Sequence, residues 1–82
     1  MAEHVLKCNA EYYDAIADGR KNFEVRRDDR GFQCGDVLIL RPVDKYGIFI
    51  GSGSIRRRIT YILTGGQFGI EPGYVVMGLA DG

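Results

Sequence analysis

One short stretch of the sequence, GRKNFEVR, carries a lysine, a glutamate and an arginine directly after a glycine. If this stretch is a strand, its side chains alternate between two faces with period two. The alternation predicts that Phe23 and Val25 point inward and that Glu24 and Arg26 point outward together, with Lys21 at the start of the strand. Such an exposed charged cluster suits the binding of a phosphate or a nucleobase, or weak acid/base chemistry.

Each of the three charged residues has two interpretations. Lys21 is either a ligand for phosphate and an activator of a nucleophile, or the partner of Glu24 in a salt bridge at the corner before the strand. Glu24 either binds a base edge or acts as a general base, or it holds its two cationic neighbours in place. The planar guanidinium of Arg26 suits a phosphate, and it equally suits an internal ion pair with Glu24 or Asp28.

Length and charge limit the class to which the protein can belong. The chain has 82 residues, 45% of them hydrophobic and 27% charged, which predicts one globular domain over residues 1–82. Eleven basic residues balance eleven acidic residues. Most of the basic residues follow position 19, whereas several acidic residues precede it, so a basic face on a neutral protein is expected.

The cysteines and the single histidine argue against a metal centre. Cys8 and Cys34 form no C-x-x-C pair, and His4 is the only histidine. We therefore expect core cysteines, no zinc site and no cofactor. The sequence has no apolar run near 18 residues, which favours a soluble cytoplasmic protein without a membrane partner.

The elements that position the cluster follow from periodicity and from turn residues. His4–Cys8 is predicted to be a strand with His4, Leu6 and Cys8 on one face. Asn9 is a suitable N-cap for a helix over Ala10–Asp18, which Gly19 ends with a positive φ angle.

Further strands are expected where apolar residues alternate or cluster. In the longest of them, one face is predicted to carry Ile55, Ile59, Tyr61 and Leu63, with Arg57 among them. One helix with five to six short mixed strands predicts a small α+β domain, in which the sheet curls into a barrel. The predicted strands span Asn22–Arg27, Val37–Leu40, Ile48–Ile50, Ser54–Thr64 and Tyr74–Leu79.

The same stretch, read as G-x-K-x-x-E-x-R, resembles the signature of ASCH domains in the PUA-like superfamily. Three further blocks extend the resemblance over nearly the whole chain. They are HxLK from position 4, FQxGD from position 32, and YILTGGQFGI from position 61 followed by GYVV. With these blocks, the sequence is most similar to a small ASCH-related family of unknown function from bacteria, phages and prophages.

The resemblance implies a PUA-like β-barrel with a cleft beside the helix, and RNA or a nucleotide as the ligand. One ASCH branch removes acyl groups from N4-acetylcytidine. Lys21 matches the catalytic lysine of that branch, and Glu24 stands where its threonine stands. The helical region that supplies the glutamate of that branch has no counterpart in this sequence.

Other residues are candidates for ligand contact. The glycine-rich loop 65–69 has exposed amides that suit an anion. Phe68 either stacks on a base or closes the barrel as a hydrophobic plug. Among Arg56, Arg57 and Arg58, strand alternation lets only two share a face. The complete set of candidate ligand-binding residues is His4, Lys7, Gly19, Arg20, Lys21, Glu24, Arg26, Arg58, Gly65, Gly66, Gln67 and Phe68.

Three functions remain open at the level of sequence. The leading hypothesis is an RNA- or nucleotide-binding module with a charged cleft. The second is a small amidohydrolase of N4-acylated cytidine that uses Lys21 and Glu24. The third is a phage-type accessory protein that binds a host protein. A monomer or a weak dimer is expected in each case.

Overall fold

The computed structural model describes residues 1–82 and contains one helix and five strands. The strands form one mixed sheet in the order β1-β3-β4-β5-β2, which curls into a half-barrel. Strands β1 and β3 are parallel, and every other neighbouring pair is antiparallel. The elements are β1 at Glu3–Asn9, α1 at Ala10–Ala17, β2 at Phe23–Arg27, β3 at Val37–Val43, β4 at Ile55–Thr64 and β5 at Tyr74–Asp81.

Strand β1 and helix α1 follow the predicted pattern. His4, Leu6 and Cys8 are buried and alternate with exposed residues along β1. The Asn9 side-chain oxygen accepts a hydrogen bond from the Glu11 amide at 3.0 Å, which confirms the N-cap. The helix has eight residues, and it is not long and apolar enough to cross a membrane.

A tight turn after α1 delivers the chain into β2. The helix ends at Ala17, one residue before the predicted end, and Asp18 caps it. Gly19 has a φ angle of +86°, as predicted, and its amide donates to the carbonyl oxygen of Ile16 at 3.2 Å. The Lys21 amide donates to the carbonyl oxygen of Ala15 at 3.0 Å, so Lys21 is fixed beside the helix.

The core lies inside the half-barrel and under the helix. It consists of side chains from β1, α1, β3, β4 and β5, together with Phe32 from the loop before β3. Helix α1 packs on β1 and β3 and contributes Ile16. The buried core residues are Leu6, Cys8, Ile16, Phe32, Leu38, Leu40, Ile59, Val75, Met77 and Leu79.

Two expectations about strands were wrong. The register of β4 against β5 shifts between Ile59 and Tyr61, because a β-bulge inserts one residue. Ile59 is therefore fully buried, but Tyr61 is 67% exposed, and Ile62 packs on the core in its place. Residues 48–50 form no strand, since only an isolated bridge joins Phe49 to Val43.

The two outer strands of the sheet, β1 and β2, are joined by arginine side chains. The Arg26 guanidinium donates to the carbonyl oxygen of Lys7 at 2.6 Å. The Arg30 guanidinium donates to the carbonyl oxygen of Val5 at 3.3 Å. Because strand pairing does not close the half-barrel, these side-chain bonds satisfy backbone acceptors at its open edge.

Candidate ligand-binding cleft

A solvent-open cleft of about 720 Å³ lies where β1, the start of α1 and β2 meet. The cleft lies beside the helix because the turn at Gly19 brings β2 back past the end of β1 and the start of α1. The cleft is lined by Lys7, Cys8, Asn9, Tyr12, Lys21, Phe23, Glu24, Val25, Arg26, Arg27 and Tyr74.

The prediction of which face of β2 points inward was wrong. Glu24 is only 4% exposed, whereas Phe23 is 44% and Val25 is 50% exposed. Strand alternation holds, but the two faces are exchanged. The buried carboxylate is tolerated because two cations neutralise it at contact distance.

Lys21, Glu24 and Arg26 nevertheless converge, as the spacing predicted. The Lys21 ammonium donates to Glu24 Oε1 at 2.6 Å, and Arg26 Nε donates to Glu24 Oε2 at 2.8 Å. Both carboxylate oxygens are therefore occupied by internal partners. This geometry favours the interpretation in which Glu24 holds the two cations in place, since little of its surface is open to a ligand.

The two cations keep donors for a ligand. Lys21 also donates to the carbonyl oxygen of Phe23 at 2.8 Å, so one of its three N–H groups remains. Arg26 uses two of its five N–H groups, one for Glu24 and one for the Lys7 carbonyl, and three remain. The side chains are 17% and 25% exposed, which leaves both reachable from the cleft.

The lining of the cleft is strongly cationic although the whole protein has no net charge. Lys7, Lys21, Arg26 and Arg27 line it, and Glu24 is the only carboxylate among the lining residues. Lys7 and Arg27 form no ion pair with a carboxylate. An anion that enters the cleft therefore meets an excess of positive charge.

Aromatic rings accompany these cations. The Lys21 ammonium lies 4.9 Å from the ring centre of Phe23 and 5.4 Å from that of Tyr12. The Arg27 guanidinium lies 5.1 Å from the ring centre of Tyr74. Cation–π contacts of this kind orient the charged groups, and the rings offer faces on which a planar base can stack.

The thiol in the cleft is inert rather than nucleophilic. Burial raises the pKa of Cys8 above its usual 9.0, and the nearby Glu24 carboxylate raises it further. Arg26 and Lys21 oppose this effect but are weaker causes. Cys8 is therefore a neutral thiol at physiological pH and forms part of the cleft wall.

His4 lies away from the cleft, in a buried cluster. Its Nε2 lies 2.9 Å from Asp36 Oδ2, and its ring meets the ring of Phe32 edge to face at 4.9 Å. Asp36 also accepts from the amides of Ala2 at 3.0 Å and Gln33 at 3.0 Å. These bonds, that from Ala2 foremost, lower the pKa of Asp36 to about 2. His4 thus anchors the N-terminus to the start of β3.

Several other candidate residues do not line the cleft. Arg20 is exposed and binds Asp18 at 2.8 Å, and its hydrogen bonds lower the pKa of that carboxyl group. Arg58 is exposed on β4, whereas Arg56 pairs with Glu3 at 3.0 Å. The candidates outside the cleft are His4, Gly19, Arg20, Arg58, Gly65, Gly66, Gln67 and Phe68.

The interpretation of Phe68 as a plug of the barrel was wrong. Its side chain is 82% exposed, and its φ angle is +54°, in the left-handed region that glycine favours. The surrounding loop is held by short backbone bonds, with the amide of Gly66 donating to Ile70 at 2.7 Å. The loop therefore presents Phe68 to solvent instead of folding it inward.

Sequence reasoning missed the uncharged and aromatic part of the cleft. Tyr12 was available from helix spacing, because it precedes Ile16 by four residues and so lies on the same side of α1, where its ring stays 50% exposed. Arg27 and Tyr74 meet because they are register partners of β2 and β5, which only the strand pairing reveals. The missed lining residues are Cys8, Asn9, Tyr12, Phe23, Val25, Arg27 and Tyr74.

Comparison with known proteins places the chain within one family of domains. Residues 3–79 match the family model described as a domain of unknown function, DUF3850. Over 57 residues, 39% are identical to an uncharacterized 12.9 kDa protein in the GpA 3′ region of Escherichia phage P2. The match covers 70% of this chain and 50% of the phage protein, so the chain spans about half the length of that relative.

Proposed function

Because the chain belongs to the DUF3850 family, whose function is undefined, we propose its function from the cleft: it binds RNA or a nucleotide there. The observation that carries the proposal is the composition of the lining. Four cations face one carboxylate that is already neutralised, and aromatic rings stand beside the cations. The cations suit the binding of a phosphate, and the rings suit stacking on a base.

The roles within the cleft follow from the hydrogen bonds already present. Lys21 and Arg26 bind phosphate with their remaining donors, and Arg27 and Lys7 add charge at the rim. Glu24 is a positioning residue, because its two oxygens fix the two central cations. Tyr12, Phe23 and Tyr74 supply the stacking faces.

We further propose that the fold is an ASCH-like variant of the PUA-like barrel. The support is that the signature residues Lys21, Glu24 and Arg26 gather at one cleft beside the helix, on a sheet that curls into a half-barrel. The signature glycine, Gly19, makes the turn that brings them there.

Salt-dependent binding of short single-stranded RNA tests the function. Arg27→Gln removes a cleft cation that has no ion pair, so among its internal contacts only the cation–π contact with Tyr74 is lost. We expect weaker binding and a slope of log K against log salt that is shallower by about 0.7. Arg58→Gln is the matched control, because it removes an exposed arginine that lies outside the cleft. Equal effects of the two substitutions, or no binding by the wild type, would refute the proposal.

A further inference from the structure

A second cationic and aromatic surface lies beside the cleft, on β1, on β3 and on the segment that joins β3 to β4. We define the Phe49 strip as Lys7, Arg41, Lys45, Tyr46 and Phe49. The Arg41 guanidinium lies 4.1 Å from the ring centre of Phe49, and the Lys7 ammonium lies 5.4 Å from it. The Lys45 ammonium lies 5.2 Å from the ring centre of Tyr46.

The strip is held in place by its backbone. The Asp44 carboxylate accepts from the amides of Tyr46 at 2.8 Å and Ile48 at 3.0 Å. The Ile50 amide donates to the carbonyl oxygen of Pro42 at 3.0 Å, and Phe49 forms a bridge with Val43. The exposed side chains therefore stand on an ordered backbone, and binding pays no cost for ordering that backbone.

The cations of the strip form no ion pairs within the protein. None of its three cationic side chains forms an ion pair with a carboxylate, and Asp44 is occupied by its own turn. Phe49 is 44% exposed and Tyr46 is 77% exposed, so both side chains keep surface that is open to solvent. By contrast, Arg56 in the arginine run pairs with Glu3 at 3.0 Å and is partly neutralised.

The strip is continuous with the cleft through Lys7. The Lys7 side chain lines the cleft and also contacts Phe49, and its carbonyl oxygen accepts from Arg26. Lys7 and Arg41 are register partners on β1 and β3, so their side chains lie side by side on one face of the sheet. Positive charge therefore extends without a break from Arg26 to Arg41.

We propose that the Phe49 strip binds the nucleotides adjacent to the one in the cleft, so that the ligand is a single strand and not a mononucleotide. This inference rests on the proposed function. A groove of cations that follows a phosphate backbone, with rings on which successive bases stack, is the arrangement that binds single strands. A free nucleotide would use the cleft alone and would leave the strip empty.

Two ligands of different length distinguish binding at the Phe49 strip from binding at the cleft. Fluorescence titration compares uridine 5′-monophosphate with a five-nucleotide oligouridylate at the same salt concentration. The wild type should bind the oligonucleotide at least about tenfold more tightly. Phe49→Ala should lower oligonucleotide affinity about tenfold, the loss of one base stack, and leave affinity for the monophosphate unchanged. Arg41→Gln should make the oligonucleotide salt slope shallower by about 0.7.

Phe68→Ala is the matched control, because Phe68 is an exposed phenylalanine on a loop outside both surfaces. Circular dichroism melting establishes that each variant is folded. Equal affinity for the two ligands, or an equal loss of oligonucleotide affinity in Phe49→Ala and Phe68→Ala, would contradict the proposed role of the Phe49 strip. The proposal for the cleft would then still stand. Failure of both ligands to bind would overturn the proposed function and the strip together.

Discussion

Removing the Glu24 carboxylate should destabilise the whole domain, although the residue lies at a proposed binding site. Its side chain is 5% exposed and accepts bonds from Lys21 at 2.6 Å and Arg26 at 2.8 Å. Breaking a buried ion pair by removing one partner costs about 3–5 kcal/mol, because the remaining charge is uncompensated. The remaining cations are 17% and 25% exposed and regain some water. We therefore expect about 3 kcal/mol for Glu24→Ala.

That loss is large for a domain of this size. Small domains are stable by about 5–15 kcal/mol, and 1 kcal/mol shifts the melting temperature of a 60–100-residue domain by about 4–8 °C. Glu24→Ala should lower the melting temperature by about 12–24 °C. Glu24→Gln should be nearly as damaging, because its NH₂ group faces one of the two cations as a second donor.

Urea denaturation followed by circular dichroism measures the change in the free energy of unfolding. Glu3→Gln is the matched control, because Glu3 pairs with Arg56 at 3.0 Å while the two side chains are 56% and 50% exposed. An exposed pair of this kind contributes about 0–1 kcal/mol. If Glu24→Gln and Glu3→Gln had the same denaturation midpoint, Glu24 would not be the structural hub of the cleft, and the assignment of its role would fail.

Three further outcomes are expected. The pKa of Asp36 lies below its usual 3.8, at about 2. Its contribution of about 2 kcal/mol to the free energy of unfolding is therefore present above pH 4 and is lost as the pH falls towards 2. In Asp36→Asn, the free energy of unfolding measured over this pH range should lack that dependence. Gly65→Ala places a Cβ against the carbonyl oxygens of Glu71 and of Tyr74, the latter at 2.7 Å. It should cost about 3 kcal/mol in thermal unfolding, against about 1 kcal/mol for Gly19→Ala, which meets only backbone strain. Purified protein should not hydrolyse N4-acetylcytidine, because the internal ion pair occupies Glu24; turnover that Lys21→Ala abolishes would reverse that expectation.

The sequence was sufficient for the elements that local rules control. The Asn9 cap, the positive φ at Gly19 and the alternation of His4, Leu6 and Cys8 each depend on neighbours in the chain. The convergence of the signature residues was also predictable, because residues two and three apart around a strand start remain close. These features can be predicted without knowing the order of the strands in the sheet.

The inward face of β2 was not predictable in the same way. Strand alternation is unchanged when the two faces are exchanged, and apolarity favours an inward Phe23. The observed choice involves a tertiary contact, since Arg26, which neutralises the buried Glu24 together with Lys21, also donates to the distant Lys7 carbonyl. The exposure of Tyr61 likewise depends on a one-residue bulge against β5, for which alternation along β4 gives no signal.

The exchanged face of β2 changes which groups can determine specificity. An outward Glu24 would have read a base edge directly, but the observed carboxylate faces its own lysine and arginine. In the proposed function, the charged groups of the cleft therefore supply affinity for phosphate, which carries no sequence information. Selection among bases would then come from the rings and the backbone around them, chiefly Tyr12, Phe23 and Tyr74. A ligand read by stacking is sequence-tolerant, so the affinity of the cleft should depend more on strand length and salt than on base identity.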